Sequence, residues 1–287
     1  MKIMKDQPIT LNCNGKLLYL DQPAVMGILN VTPDSFYDGG SYCTESAILH
    51  RCETILEEGA VIVDVGAVST RPGSLQASAA EEELHLVQAI SAIRKHFPDT
   101  LISIDTYRAD IARRMVTEYG AAIINDISAG TMDNRMFETI AELNVPYILM
   151  HMQGTPENMQ QHPAYNDVMT DLIRFFTEQI FRLRQMGLKD IIIDAGFGFG
   201  KTLDHNYEIL NGMRQLEIFE CPILAAVSRK SMIYRLLETD PQQALNGTSV
   251  VHTLALLQGA DILRVHDVKE AMETIKIVQK YLRYVLS

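Results

Sequence analysis

Short apolar runs rich in Val and Ile recur about every 20 to 45 positions along the chain, and each stops abruptly at a polar residue. The runs are Val25 to Leu29 ending in Asn30, Val61 to Val63 in Asp64, Leu101 to Ile104 in Asp105, and Ala121 to Ile124 in Asn125 and Asp126. Four more follow: Pro146 to Met150 ending in His151, Ile191 to Ile193 in Asp194, Pro222 to Val227 in Ser228, and Ile262 to Val265 in His266. Stretches of helical spacing separate them, so the pattern predicts strand then helix eight times over. That is an α/β chain of the TIM (β/α)8 barrel class, with its active site at the carboxyl ends of the strands.

Local signals refine this prediction. Ser78 with Glu81 forms a capping box, and Asp240 before Pro241 makes an N-cap with proline at the first helical position. The spacing predicts a fifth barrel helix within Tyr165 to Met186, an extra helix from Pro241 to Gly259 beside the seventh, and a final helix from Lys269 to Leu286. Ile9 to Cys13 and Lys16 to Leu20 flank Asn14 and Gly15, which suit a type I′ turn, so residues 1–22 are expected to add an N-terminal hairpin. The remaining ~265 residues match the usual size of such a barrel, and one domain over 1–287 is expected.

Composition narrows the function classes. No linker-like stretch divides the 287 residues, and 47% of them are hydrophobic, enough for a large core. The first residues include Asp6 and lack a long apolar core, and no run approaches membrane-spanning length, so neither signal peptide nor membrane span is expected. Cys13, Cys43, Cys52 and Cys221 are scattered, which fits free thiols and a cytoplasmic protein better than a disulfide framework. A net charge of −11 argues against nonspecific nucleic-acid binding and means that an anionic substrate needs a locally basic pocket.

Basic residues do follow the strand ends: Arg71 after the second run, Arg229 and Lys230 after the seventh, Arg264 and His266 at the eighth. Asn30, Asp105, Asn125 and Asp194 stand at other strand ends. Carboxylates and amides suit a heterocycle rich in N–H donors, and forked cations suit phosphate. The ligand so described is an amino-heterocycle with a phosphorylated arm.

The local sequences resemble those of the dihydropteroate synthases. MGILNVTPDSFYDGG at Met26 to Gly40 and DVGAVSTRPGS at Asp64 to Ser74 are similar to that family's first two signatures. SIDTYR at Ser103, INDISAG at Ile124, MHMQGTP at Met150, DAGFGFGKTLDHN at Asp194, SRKS at Ser228 and RVHDV at Arg264 follow in family order. Read alone, the glycine cluster from Gly196 to Gly200 lacks the spacing of a phosphate loop. The resemblance implies that p-aminobenzoate displaces diphosphate from 6-hydroxymethyl-7,8-dihydropterin diphosphate to give 7,8-dihydropteroate, by an SN1-like path in folate biosynthesis. It also implies Mg²⁺, a homodimer and a place among the sulfonamide targets.

Residue roles follow from that implied chemistry. Asp105, Asn125 and Asp194 are expected on the pterin's amino-pyrimidinone edge, with Lys230 on its carbonyl side. Asn30, Thr70, Arg71, Arg264 and His266 form the expected diphosphate group, Asn30 lending an oxygen to Mg²⁺. Ser231 and the backbone at the start of the helix after Ser228 are expected to hold the benzoate carboxylate. Thr70, Pro72, Phe36 and Phe199 frame its ring, as the matching family positions do. Asp105, Lys230, Arg71 and Arg264 are the expected catalytic set, and His151 is expected to be structural.

The chain departs from the commonest family pattern at Ala195, Tyr37 and Ala226, where proline, serine and glycine are usual; none of the three removes a polar group from the expected site. Two other readings compete. A methyltetrahydrofolate to corrinoid methyltransferase shares the pterin acids but needs no diphosphate site, against which stand Arg71, Lys230, Ser231, Arg264 and His266. A catalytically silent pterin-binding paralogue is expected to lose Arg71, Asp105, Lys230 or Arg264, and all four are present. The stretch from Ala244 to Leu257 is apolar on more than one face, which points to a dimer contact through the last helices or to burial under the final helix.

Overall fold

Eight parallel strands close into a barrel in the order β10-β3-β4-β5-β6-β7-β8-β9, as the recurrent apolar runs predict. They are β3 (Ala24–Asn30), β4 (Ile62–Gly66), β5 (Leu101–Asp105), β6 (Ile123–Asp126), β7 (Tyr147–Met150), β8 (Ile191–Asp194), β9 (Ile223–Ala225) and β10 (Ile262–Val265). In this computed structural model the described residues are 9–32, 44–68, 77–156, 158–159 and 163–285.

Strand geometry sorts the side chains. Successive residues of a strand point to opposite faces. Met26, Ile62, Ile123, Ile148, Ile192, Leu224 and Ile262 accordingly form one buried cluster inside the barrel, while Val63, Val65, Ile102, Ile104, Ile124, Ile193, Leu263 and Val265 pack outward against the helices. Two residues further along the inward faces, the apolar layer gives way to Asp64, Ser103, Asn125, Asp194 and Arg264. The polar groups therefore lie in the layers nearest the carboxyl ends of the strands.

The amino end of the barrel is plugged by the hairpin. β1 (Ile9–Cys13) and β2 (Lys16–Leu20) pair antiparallel across Asn14 and Gly15, both at positive φ (52° and 87°), as a type I′ turn requires. Leu11, Cys13 and Leu20 join the inner apolar cluster. Asn12 N donates to Asp190 Oδ2 at 2.8 Å and Asn14 Nδ2 to Ala121 O at 3.2 Å, which ties the hairpin to the barrel floor.

The helices are α1 (Glu45–Glu57), α2 (Ala79–His96), α3 (Ala109–Thr117), α4 (Met136–Leu143), α5 (Val168–Gln185), α6 (Leu203–Gly212), α7 (Ser231–Tyr234), α8 (Leu245–Leu257) and α9 (Val268–Val285). The capping box at Ser78 and Glu81 forms as expected. Two expectations need correction. Asp240 caps only a turn, its backbone and side-chain oxygens accepting from Gln243 N, and the helix begins at Leu245 rather than Pro241. That helix is moreover the seventh barrel helix itself, and the extra element after β9 is the four-residue α7.

Candidate active site

Arg264 lies at the centre of the described polar groups. It sits at the third position of β10, inward by the alternation set by Ile262, and reaches past β3 across the barrel mouth to two acids, on β4 and β5. Its Nε donates to Asp64 Oδ2 at 2.7 Å, and its Nη2 donates to Asp105 Oδ2 at 2.7 Å. Asn125 Nδ2 donates to the same Asp64 oxygen at 3.2 Å. The structure therefore joins Arg264 directly to Asp105, and to Asn125 through Asp64, a residue given no role from the sequence. The apolar run stops at Asp64 only because a charged residue interrupts it; β4 continues to Gly66, and Asp64 is a fully buried inward residue of mid-strand.

These contacts set the charge states. Burial raises the Asp105 carboxyl to about 7; Arg264 and Lys230 oppose the shift, and Asp64 and Asp126 add to it. Burial alone works against the Arg264 charge, but Asp64 and Asp105 outweigh it and the guanidinium is held more firmly protonated than usual. Asp194, at the end of β8, is raised by burial while Lys230 pulls it back, and its Oδ1 accepts from Gly196 N at 2.8 Å. Asp126 faces the other way, accepting from Tyr147 Oη at 2.7 Å and from Ser128 and Gly130, so it anchors the loop after β6 and stays out of the pocket.

Lys230 closes the opposite wall. Its Nζ donates to Phe197 O at 2.5 Å and lies 4.7 Å from the centre of the Phe199 ring. Burial lowers its pKa to about 8, with Asp194 resisting. Phe199 also packs with Tyr107, Ile127 and Met150, an apolar patch beside the polar groups.

Three expectations are revised by the geometry. His266 belongs with neutral groups and not with the cations, because burial and then Arg264 push its pKa down to about 4. Ser228 Oγ accepts from His266 N at 3.2 Å and lies 3.1 Å from His266 Nδ1. A hydroxyl that donates to Nδ1 leaves the imidazole proton on Nε2. Arg229 is committed elsewhere: Nε and Nη2 donate to Asp267 at 2.8 and 2.9 Å, and Nη1 to the carbonyls of Pro241 and Gln242. Ser231 opens α7, which has only four residues, so the expected helix start offers little more than a hydroxyl and its neighbouring backbone. Phe36, Thr70, Arg71 and Pro72 lie outside the described residues. His151 is buried and bonded to Lys201, in line with the structural part expected of it.

Asn30 ends β3 opposite Gly66 of β4. A Cβ on Gly66 would lie 3.3 Å from Asp105 Cβ and 3.6 Å from both Asn30 Oδ1 and Asp105 Oδ2, so the glycine keeps open a space edged by two oxygens. Among the described residues there is no cluster of three His, Cys, Asp or Glu side chains able to cage a metal. A cation that keeps its waters and takes most other ligands from phosphate, as Mg²⁺ does, fits this donor set.

A (β/α)8 barrel whose mouth joins a buried carboxylate-and-amide wall to a forked cation is built for a heterocycle with an anionic arm. Residues 26–266 match the pterin binding enzyme family. The dihydropteroate synthase of Escherichia coli strain K12 is 42% identical over 271 residues, covering 94% of this chain and 95% of its own. Among solved structures, the Yersinia pestis dihydropteroate synthase with a sulfonamide drug complex superposes with a TM-score of 0.89 at 42% identity, over 96% of this chain and 100% of the other. The Xanthomonas albilineans dihydropteroate synthase with 4-aminobenzoic acid gives 0.89 at 36% identity, over 96% and 99%. The chain belongs to the pterin-binding enzymes, among the dihydropteroate synthases.

Proposed function

We propose that this barrel condenses 6-hydroxymethyl-7,8-dihydropterin diphosphate with p-aminobenzoate, releasing diphosphate and 7,8-dihydropteroate, by departure of the leaving group ahead of amine attack. The observation that carries this reading is the direct contact of Arg264 with Asp64 and Asp105. It puts a forked phosphate ligand and an acceptor for pterin N–H groups within one side chain's reach, so the bond to be broken spans the two.

In this reading Asp105, Asn125 and Asp194 accept from and orient the pterin ring, and Lys230 donates to its carbonyl side. Carboxylates beside an electron-poor ring stabilise positive charge at the exocyclic methylene as the C–O bond lengthens. Arg264, Arg71, Thr70, Asn30 and the neutral Nε2–H of His266 hold the departing diphosphate. Asn30 Oδ1 would hold Mg²⁺, which when bound neutralises charge on the leaving group. Phe199, Phe36, Pro72 and Thr70 position the aminobenzoate ring, and Ser231 its carboxylate. No protein nucleophile is needed.

A homodimer through α8 and α9 completes the reading. Val251 and Ala255 of α8 are buried in the core, yet Val250 and Leu254 of the same helix remain 54% and 42% exposed, and α9, which packs on α8, leaves Ile277 and Tyr281 exposed as well. That supports the dimer over burial under the last helix. The working compartment is the cytoplasm, supported by free thiols at Cys13, Cys52 and Cys221. Among the described residues no helix is long and apolar enough to cross a membrane.

The test is diphosphate release from the dihydropterin diphosphate with Mg²⁺, with and without p-aminobenzoate, beside Arg264→Ala. Release matched by dihydropteroate formation and lost in the variant supports the reading; tight pterin binding without release refutes it.

A further inference from the structure

The chemistry above makes no use of Lys201, a buried cation one residue past the glycine-rich loop. Its side chain is 3% exposed, and its ammonium faces four acceptors: Gly196 O and Phe199 O at 2.9 Å, His151 Nδ1 at 3.1 Å and His151 O at 3.2 Å. Three N–H bonds serve the four acceptors if the two longer contacts, both to His151, share one hydrogen. Nδ1 of His151 must then be bare, and burial followed by Lys201 lowers the pKa of that imidazole to about 2, so it is neutral. No carboxylate is bonded to Lys201 among the described residues; burial brings its pKa down to about 7 against the pull of Asp194.

A charge held in this way is a costly fastening, which directs attention to what it fastens. His151 follows β7, whereas Gly196 and Phe199 belong to the loop after β8, so the ammonium clamps two neighbouring strand ends. The approach is close: a Cβ on Gly196, at φ 70°, would lie 1.9 Å from His151 O. Neutral bonds hold the rest of the loop, from Gly198 N to Asn206 Oδ1 at 2.7 Å and from Tyr165 Oη to Gly200 O at 2.8 Å. Between the two clamped carbonyls lie the groups that meet Lys230, namely the Phe197 carbonyl and, at the clamped residue itself, the Phe199 ring.

We propose that Lys201 is a positioning residue for the second substrate: by fixing the Gly196 and Phe199 carbonyls to the end of β7, it sets the Phe199 ring as a wall for the aminobenzoate. This rests on the placement of Phe199 in the aminobenzoate subsite under the proposed function. Of the groups proposed for the pterin, Asp105 and Asn125 sit on β5 and β6, away from the clamped segment, while Asp194 is bonded to Gly196 N at its edge, so pterin binding is affected less.

The test compares the unmodified chain with Lys201→Met, with Phe199→Leu and with the double variant. Lys201→Gln, which retains an N–H donor, replaces the methionine variant if that does not fold. The readouts are KM for p-aminobenzoate, kcat, and Kd for the dihydropterin diphosphate. The expected result is a rise of about tenfold or more in KM for p-aminobenzoate, a Kd for the pterin changed less than about threefold, and no further rise in KM when Lys201 is replaced in the Phe199→Leu background. A fall in kcat with KM unchanged, parallel losses for both substrates, or additive effects of the two substitutions would overturn the proposal. Failure of the unmodified chain to form dihydropteroate would instead remove the underlying reading, and this proposal with it.

Discussion

Arg264 and Asp105 are bonded to each other at 2.7 Å, so the cation proposed for diphosphate and the acid proposed for the pterin satisfy one another in the ligand-free chain. Asp64 shares the same guanidinium at 2.6 Å from beneath. Under the proposed roles, the pterin's N–H groups would replace the Arg264 donor on Asp105, and the diphosphate would attract the guanidinium that is thereby released. Substrate binding would then exchange one set of charge-assisted bonds for another and bury no bare charges.

Arg264→Ala is therefore expected to damage both function and fold. Loss of a forked donor to the leaving group should lower kcat/KM by about 10²–10³-fold. Stability should fall by about 3–5 kcal/mol, because Asp64 is left fully buried without its cation. Arg264→Lys, which keeps the charge but cannot bond both acids, should fall between. Steady-state kinetics and urea unfolding check both parts; an alanine variant as stable as the parent would refute the pairing.

Asp64 is expected to act through Arg264 and Asn125, without touching substrate. Asp64→Asn keeps the size and one acceptor but removes the charge that pins the guanidinium. Transition-state contact with diphosphate should suffer more than pterin affinity, giving a kcat lower by about tenfold or more with a pterin Kd changed only a few-fold. A large loss of pterin affinity with kcat intact would place Asp64 in the pterin site itself.

Much of this was legible in the sequence. The recurrent apolar runs put Asp105, Asn125, Asp194 and Arg264 at or near strand ends, and with Lys230 they do converge. What a run of apolar residues could not reveal was depth: an inward acid such as Asp64 breaks the run whether it ends the strand or sits two residues before its end. Commitment to partners was equally hidden, since nothing in SRKS distinguishes Lys230, which faces Phe197 and Phe199, from Arg229, which is tied to Asp267 across the chain. The helix expected from Pro241 failed for a related reason: Asp240 supplies good cap chemistry, but one turn later the chain must still turn to place Val251 and Ala255 on the barrel.

Ser228→Ala tests the protonation site of His266. Without the hydroxyl, nothing among the described residues favours a proton on Nε2, and the two tautomers should approach comparable populations. Nitrogen NMR of the imidazole should show the shift away from a single Nε2–H form, and diphosphate affinity should weaken by roughly threefold to tenfold, the worth of one hydrogen bond. An imidazole spectrum unchanged by the substitution would mean that another group sets the tautomer.

The buried charge of Lys201 makes a prediction about stability and pH whose sign can be worked out. In the unfolded chain the amine titrates near 10.5, whereas burial lowers it to about 7 in the folded protein. Below pH 7 both states hold the proton and the penalty for burying it is at its full value. Between pH 7 and 10.5 the unfolded chain binds more protons than the folded one, so raising the pH favours folding. The gain approaches about 1.4 kcal/mol per pH unit for this single group. Asp194 and Lys230 also act on the ammonium, and His151 stays neutral throughout this window. Lys201→Met removes the titration while leaving the other groups in place. Urea unfolding of both proteins at pH 7, 8 and 9 should therefore show the parent gaining on the variant at each step; parallel curves would mean that Lys201 does not enter the fold as a desolvated cation.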